Sequence, residues 1–86
     1  LSLFGVSDFL PILPNYSVVL LKTPVCFAHQ TVNIMESKSV QVVAIQRDKV
    51  MMLTPLDSEI LQPNDMLILI GENKDLNKLA ERIQSE

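Results

Sequence analysis

Five consecutive apolar residues stand near the C-terminal end of the chain. Residues 66–70 read Met-Leu-Ile-Leu-Ile, between a Pro-Asn-Asp turn signal at 63–65 and Gly71. Five residues are too few for a typical helix and about right for a strand. A continuous apolar run, in place of alternation, predicts a strand that is covered on both faces. The sequence therefore predicts a central strand around which the rest of the chain packs.

An amphipathic helix is predicted directly after this strand, over residues 74–84. Asn73 can cap its first turn, because an asparagine side chain accepts hydrogen bonds from the free N–H groups there. Apolar residues recur at spacings of three and four, which places them on one face: Leu76, Leu79, Ala80 and Ile83. This face is expected to pack on the sheet.

Three further strands are predicted from runs rich in β-branched and other apolar residues, at 16–22, 40–47 and 50–54. The last two form a hairpin around Asp48-Lys49, with a longer or bulged loop as the alternative because the turn lacks glycine. Thr31 can cap a short helix of about two turns over residues 31–37. The order β-α-β-β-β-α predicts an α+β sandwich, with a mainly antiparallel sheet and helices on one face.

The N-terminal residues 1–15 are predicted to be an arm or linker, and residues 16–86 the folded domain. Residues 1–13 are mostly apolar but have no clean period, and Pro11 and Pro14 prevent a continuous helix. An arm that packs on a partner and a terminus cut from a longer protein both fit this pattern. The stretch is too interrupted to span a membrane and lacks the basic start of a secretory signal, so no membrane insertion is expected.

Composition predicts a small, self-associating domain. The 86 residues suffice for one domain, and 48% are hydrophobic while only 20% are charged. Such a domain buries a modest share of its surface, so a homodimer is expected. The net charge is −3 and there is no basic run, which argues against nucleic-acid binding.

Catalytic and metal-binding signatures are weak. The only two glycines form no phosphate-binding loop, and no nucleophile, base and acid can be grouped by spacing, so the chain is predicted not to be an enzyme. Cys26 and His29 could supply two zinc ligands, but a closed site needs four and no second cluster exists. Arg47 could hold a phosphate or simply be a solvated charge at a strand end. Asp65 fits a turn former more simply than an acid–base group.

Three segments together resemble the TrkA C-terminal domain family, also known as the C-terminal lobe of RCK domains. They are Val-Gln-Val-Val-Ala-Ile-Gln-Arg at 40–47, Pro55 after the next strand, and Leu-Gln-Pro-Asn-Asp-Met-Leu-Ile-Leu-Ile-Gly at 61–71. The resemblance extends over about residues 16–84. It implies a cytosolic, usually dimeric regulatory domain, peripheral to the membrane, that works with a membrane-embedded cation channel or transporter. It also implies that some members bind cyclic di-AMP at the dimer interface.

A ligand site is accordingly predicted around the end of the strand at 40–47. Arg47 would pair with a phosphate, Ala44 and Ile45 would form an apolar wall for a base, and polar contacts would come from Asn64 and Asp65. Two copies around an axis would suit a two-fold symmetric cyclic dinucleotide. The alternatives are an assembly module without a ligand and a small amino-acid-sensing domain of a metabolic protein.

Overall fold

The computed structural model describes residues 6–85 as an antiparallel β-sheet with an α-helix against one face. The strands are β1 (Val6–Leu13), β2 (Tyr16–Lys22), β3 (Gln41–Arg47), β4 (Val50–Leu53) and β5 (Met66–Glu72), and helix α1 spans Asn73–Ser85. The order across the sheet is β1-β2-β5-β3-β4, and every neighbouring pair is antiparallel. The predicted α+β class with an antiparallel sheet is confirmed.

Strand β5 lies at the centre of the sheet, as its apolar run predicts, but only one of its faces is covered within residues 6–85. Leu67 and Leu69 are fully buried, whereas the alternating Ile68 and Ile70 are half-buried. The hydrophobic core lies between this covered face and the elements packed against it. It consists of Val19, Leu21, Phe27, Val32, Met35, Val40, Val42, Ile45, Leu61, Leu67, Leu69, Leu76 and Leu79. We call the opposite side of the sheet the open face. The expected cover on both faces of β5 thus holds for one face only.

The short helix expected over residues 31–37 is a single 3-10 turn, Val32–Ile34, preceded by another at Val25–Phe27. Isolated β-bridges fix both ends of the segment, Thr31 with Ile60 and Ser37 with Val40. The few residues between these bridges leave no room for two α-helical turns, and bonds to the residue three positions back form instead.

Within the segment predicted to be an N-terminal arm or linker, residues 1–15, the structure contains a strand, and the division into arm and domain stays a prediction. Residues 6–13 form β1, an edge strand that pairs with β2 through irregular register at both ends. Pro11 is tolerated because an edge strand has one side without ladder partners. Residues 1–5 lie outside the described part of the chain.

The β3–β4 hairpin has the tight two-residue turn, since Arg47 pairs directly with Val50. Asp48 takes a φ of 57°, a left-handed conformation that aspartate tolerates better than most residues, so glycine is not required. On its other side β3 contains a bulge at Val43, where Val42 pairs with Leu69 and Ala44 with Ile68.

Helix α1 is anchored at its first turn by buried polar contacts. The Asp75 carboxylate is almost fully buried and accepts a 2.7 Å hydrogen bond from Ser39 Oγ, which holds the pKa of Asp75 below its usual range. Asn73, the predicted cap, is the first residue of α1, and its Oδ1 accepts a hydrogen bond from Ser17 Oγ at 2.6 Å. Near the end of β5, Gly71 lies against Val40: a Cβ added to Gly71 would lie 3.1 Å from the Val40 Cα.

Candidate functional site

Arg47, at the end of β3, is the centre of a polar network that joins three parts of the chain. Its Nε and Nη2 donate to the two carboxylate oxygens of Asp65 at 3.0 and 2.8 Å. Nη1 donates to Glu59 at 3.2 Å, and Nη2 also reaches the carbonyl oxygen of Ile60 at 2.9 Å. This bidentate geometry ties the loop before β5 to the β3–β4 hairpin.

Asp65 is the buried member of the network, with 1% of its surface exposed. Its Oδ2 also accepts a hydrogen bond from the Gln62 N–H at 2.9 Å. Burial opposes ionisation, but the bonds from Arg47 and Gln62 outweigh it and hold the pKa of Asp65 below its usual range. The hydrogen bonds to Asp65 likewise raise the pKa of Arg47 above its already high value, despite desolvation. Both groups are therefore charged over the physiological pH range.

The outer side of the network lines a shallow pocket of about 290 Å³. Its walls are formed by the hairpin tip and by the turn before β5: Arg47, Asp48, Gln62, Pro63, Asn64 and Asp65. Asn64 is exposed, so its amide is available to a ligand. Three of the five predicted site residues, Arg47, Asn64 and Asp65, thus lie together around one pocket.

The other two predicted site residues lie away from this pocket. Ile45 is fully buried and faces the core, where it pairs across the ladder with Leu67. Ala44 lies on the open face between Ile68 of β5 and Leu53 of β4, and its small side chain is 4% exposed. Because Ile45 has no accessible surface, an apolar wall at the pocket would have to come from other side chains. The predicted ligand site as a set stays a prediction.

The contact between Arg47 and Glu59 is not predictable from the sequence. The two residues are 12 positions apart, and the irregular segment between β4 and β5 determines where Glu59 lies. No periodicity signal describes such a connection. The grouping of Arg47 with Asp65 had a better signal, because the sequence predicts Arg47 at the end of one strand and Asp65 directly before the central strand.

A second polar pocket, of about 440 Å³, lies at the start of β3. It is lined by Glu36, Ser37, Lys38, Val40, Gln41 and Asp57. Glu36 accepts a 3.1 Å hydrogen bond from the Val42 N–H, beside the β3 bulge. Burial, together with the neighbouring Asp57 carboxylate, raises the pKa of Glu36.

Within residues 6–85, no three His, Cys, Asp or Glu side chains are grouped so that they could hold a metal ion. His29 is exposed and Cys26 is half-buried. Among the described elements, no helix is both long and apolar enough to cross a bilayer.

Comparisons with known proteins agree on one kind of domain. The chain is 28% identical over 82 residues to the Ktr system potassium uptake protein C of Bacillus subtilis (strain 168), a match that covers 92% of this chain and 37% of that protein. This chain therefore spans little more than a third of its curated relative.

Two solved structures are similar to this chain. The C domain of the RCK (regulator of conductance of K+) protein KtrA, solved in complex with cyclic di-AMP, is 30% identical with a TM-score of 0.68, covering 78% of this chain and 82% of that one. The GsuK RCK domain shares the fold, with a TM-score of 0.72 at 18% identity over 91% of this chain and 19% of that one. The family model of the TrkA-C domain matches residues 16–84, most of the chain, and the protein therefore belongs to the TrkA-C domain family.

Proposed function

We propose that this chain is a ligand-sensing, dimerising regulatory domain of a potassium or other cation transport system. The observation that carries the proposal is the match to an RCK C domain solved with cyclic di-AMP, at 30% identity over most of both chains. The curated relative, a potassium uptake protein, supports the transport context. In this role the domain lies in the cytoplasm and reaches the membrane through a channel or transporter subunit.

The Arg47 pocket fits one half of a cyclic dinucleotide. Its volume of about 290 Å³ is at the lower limit of the roughly 300–1,000 Å³ typical of small-molecule sites. Two such pockets related by a two-fold axis would match the two identical halves of cyclic di-AMP. Homodimerisation and ligand binding are therefore parts of one proposal.

A phosphate would reach Arg47 by replacing Glu59. The Arg47–Glu59 pair is about one-third exposed on both sides, and pairs of this kind contribute little to stability. Asp65 is held by two Arg47 bonds and by the Gln62 N–H, so it remains in place. Glu59 thus competes with the ligand for Arg47, whereas Asp65 holds the guanidinium in position.

Calorimetric titration of cyclic di-AMP into the chain tests this proposal. Glu59→Gln removes the competing charge and should tighten binding several-fold, whereas Glu81→Gln, on the exposed side of α1, should leave the affinity unchanged. The same titration with cyclic di-GMP measures selectivity for the base. No heat with any of the three proteins would contradict the ligand-sensing role, and equal affinities for all three would place the ligand away from Arg47.

A second function, subunit assembly without a ligand, is favoured by the internal use of Arg47. All the hydrogen bonds described for its guanidinium go to Asp65, Glu59 and Ile60. An assembly module would dimerise with the same affinity in the presence and absence of cyclic di-AMP. A ligand-sensing dimer would dimerise more tightly when the ligand is present.

A further inference from the structure

The β4–β5 connection, residues 54–65, contacts the second 3-10 turn through backbone bonds of unequal length. The carbonyl oxygen of Glu59 accepts a 2.8 Å hydrogen bond from the Val32 N–H, whereas that of Asp57 accepts a 3.3 Å bond from the Asn33 N–H. Val32 is fully buried, while Asn33 and Asp57 are exposed, so water competes with the longer bond. Asp57 therefore lies in the more weakly held part of the connection, where a side-chain contact has the greatest effect.

The Glu36 carboxyl group lies between this part of the connection and β3. Its Oε2 accepts a 3.1 Å hydrogen bond from the Val42 N–H, directly before the β3 bulge. The Asp57 carboxyl group is within hydrogen-bonding reach of Glu36, and both residues line the second pocket. Two carboxylates placed in this way repel each other, because neither has a proton to donate. A single shared proton replaces that repulsion with a hydrogen bond.

A protonated Glu36 satisfies both of its neighbours at once. A neutral carboxyl group has one O–H donor and keeps acceptor capacity on its other oxygen. The O–H is then free to donate to Asp57 while Oε2 continues to accept from the Val42 N–H. Glu36 holds the proton better than its partner does, because Glu36 is half-buried and Asp57 is exposed. Burial first, and the Asp57 carboxylate second, raise the pKa of Glu36 accordingly.

Other charged groups surround Glu36, and each has a different position or partner. Lys38 lines the same pocket but is exposed. Arg82 of α1 donates to a carbonyl oxygen of the second 3-10 turn at 3.0 Å, and its guanidinium lies over an aromatic ring. Glu59, farther along the connection, pairs with Arg47. The carboxyl pair is therefore the part of this pocket whose charge changes in mildly acid solution.

We propose that Glu36 and Asp57 share a proton in acid solution, and that this carboxyl bridge holds the β4–β5 connection against the second 3-10 turn until rising pH removes the proton. The closed bridge draws Asp57 across the second pocket and shortens the time for which the Asn33 bond is open. When the proton is lost, repulsion moves Asp57 into water, since the neighbouring Leu56 is 74% exposed and does not anchor it. The inference goes beyond the proposed function and needs no ligand.

Amide hydrogen exchange, corrected for the intrinsic effect of pH on the exchange rate, measures the state of the bridge. In the wild-type chain, protection of the Asn33 N–H should fall by roughly twofold to tenfold from about pH 4 to about pH 8, the range that corresponds to one net hydrogen bond. The fall should follow the titration of Glu36, because the bridge exists only while that proton is bound.

Three variants separate the bridge from a general effect of pH. Glu36→Gln imitates the protonated side chain, since its amide donates to Asp57 and its oxygen accepts from the Val42 N–H, so Asn33 should keep its high protection at every pH. Asp57→Ala removes the bridge at an exposed position that the fold tolerates, and protection should be low at every pH. Glu81→Gln, an exposed carboxylate on α1, should retain the wild-type pH dependence.

Carbon-13 titration of the carboxyl groups tests the shared proton itself. Glu36 should titrate above its ordinary value of 4.5 in the wild-type chain, and its midpoint should move down toward that value in Asp57→Ala. Unchanged titration of Glu36 in Asp57→Ala would overturn the inference. Protection of Asn33 that does not vary with pH in the wild-type chain, or that falls to the same extent in Glu36→Gln, would also overturn it.

Discussion

Both faces of this sheet carry mainly apolar side chains at the centre, but one face is buried and the other is not covered by residues 6–85. Along β5, Leu67 and Leu69 point into a core sealed by α1 and the 3-10 turns, while Ile68 and Ile70 point to the open face. The same division holds along β2, where Val19 is buried and its neighbours Val18 and Leu20 are only half-buried. A solvated sheet face is usually polar. Apolar residues on both faces therefore indicate that the domain needs a second layer that residues 6–85 do not supply.

The largest expected effect compares two adjacent residues of β5. Leu69→Ala should lower the free energy of unfolding by about 2–5 kcal/mol, because it leaves a cavity in a sealed core. Ile68→Ala should cost less than half as much in dilute protein, where the open face is in water. If the proposed dimer covers the open face, the cost of Ile68→Ala should grow with protein concentration. Urea unfolding at two concentrations measures both, and equal costs for the two variants at low concentration would remove the distinction between the faces.

A smaller effect is expected from Asp65, at the margin of the covered face. Asp65→Asn should cost about 1.5–3 kcal/mol, since it weakens charge-assisted hydrogen bonds to a nearly buried group. Glu59→Gln is the control at the same arginine and should cost no more than about 1 kcal/mol, because that pair is more exposed.

The contribution of Asp65 to the free energy of unfolding should depend on pH. The pKa of Asp65 in the folded chain lies below its ordinary value of 3.8, so its contribution is complete above that pH and disappears as pH falls through the folded-state pKa. Unfolding of the wild-type chain should therefore become easier in this acid range, and Asp65→Asn should show a flatter profile. Identical profiles would mean that the Arg47 pair does not stabilise the fold.

The smallest expected effect is the contribution of Glu36 to the pH dependence of stability. Its sign is opposite to that of the Asp65 contribution. The pKa of Glu36 is raised in the folded chain by burial and by Asp57, so the folded state holds the proton more tightly than the unfolded state. Stability should fall as pH rises from the ordinary value of 4.5 through the raised pKa. Glu36→Gln keeps an oxygen for the Val42 N–H and should remove this slope, as urea unfolding across pH 4–7 would show. A slope that persists in the variant would have to come from other groups.

Most of the sheet is predictable from the sequence, because the strands at 16–22, 40–47 and 66–70 have strong local signals. The two faces of β5 cannot be told apart in this way, since periodicity gives no information where both alternating positions are apolar. Strand β1 was missed because Pro11 and the irregular apolar pattern resemble an arm, and its pairing with β2 is a tertiary contact. At the candidate site, strand ends brought Arg47 and Asp65 together, but the bulge and the β4–β5 connection determined the roles of Ala44 and Glu59.

The bulge at Val43 determines which face of the sheet each side chain of β3 points to. A regular strand would turn Val42 inward together with Gln46, and would leave Ile45 in water. One extra residue reverses the alternation halfway along the strand, so that Val42 and Ile45 both reach the core while Gln46 reaches the surface. The extra residue is therefore what lets Val42 and Ile45 share the core side in a strand of this length. Deleting Val43 would convert the bulge into a regular ladder and leave every later residue, including Arg47, on the side that it already occupies, so the pairing with β5 should survive the deletion.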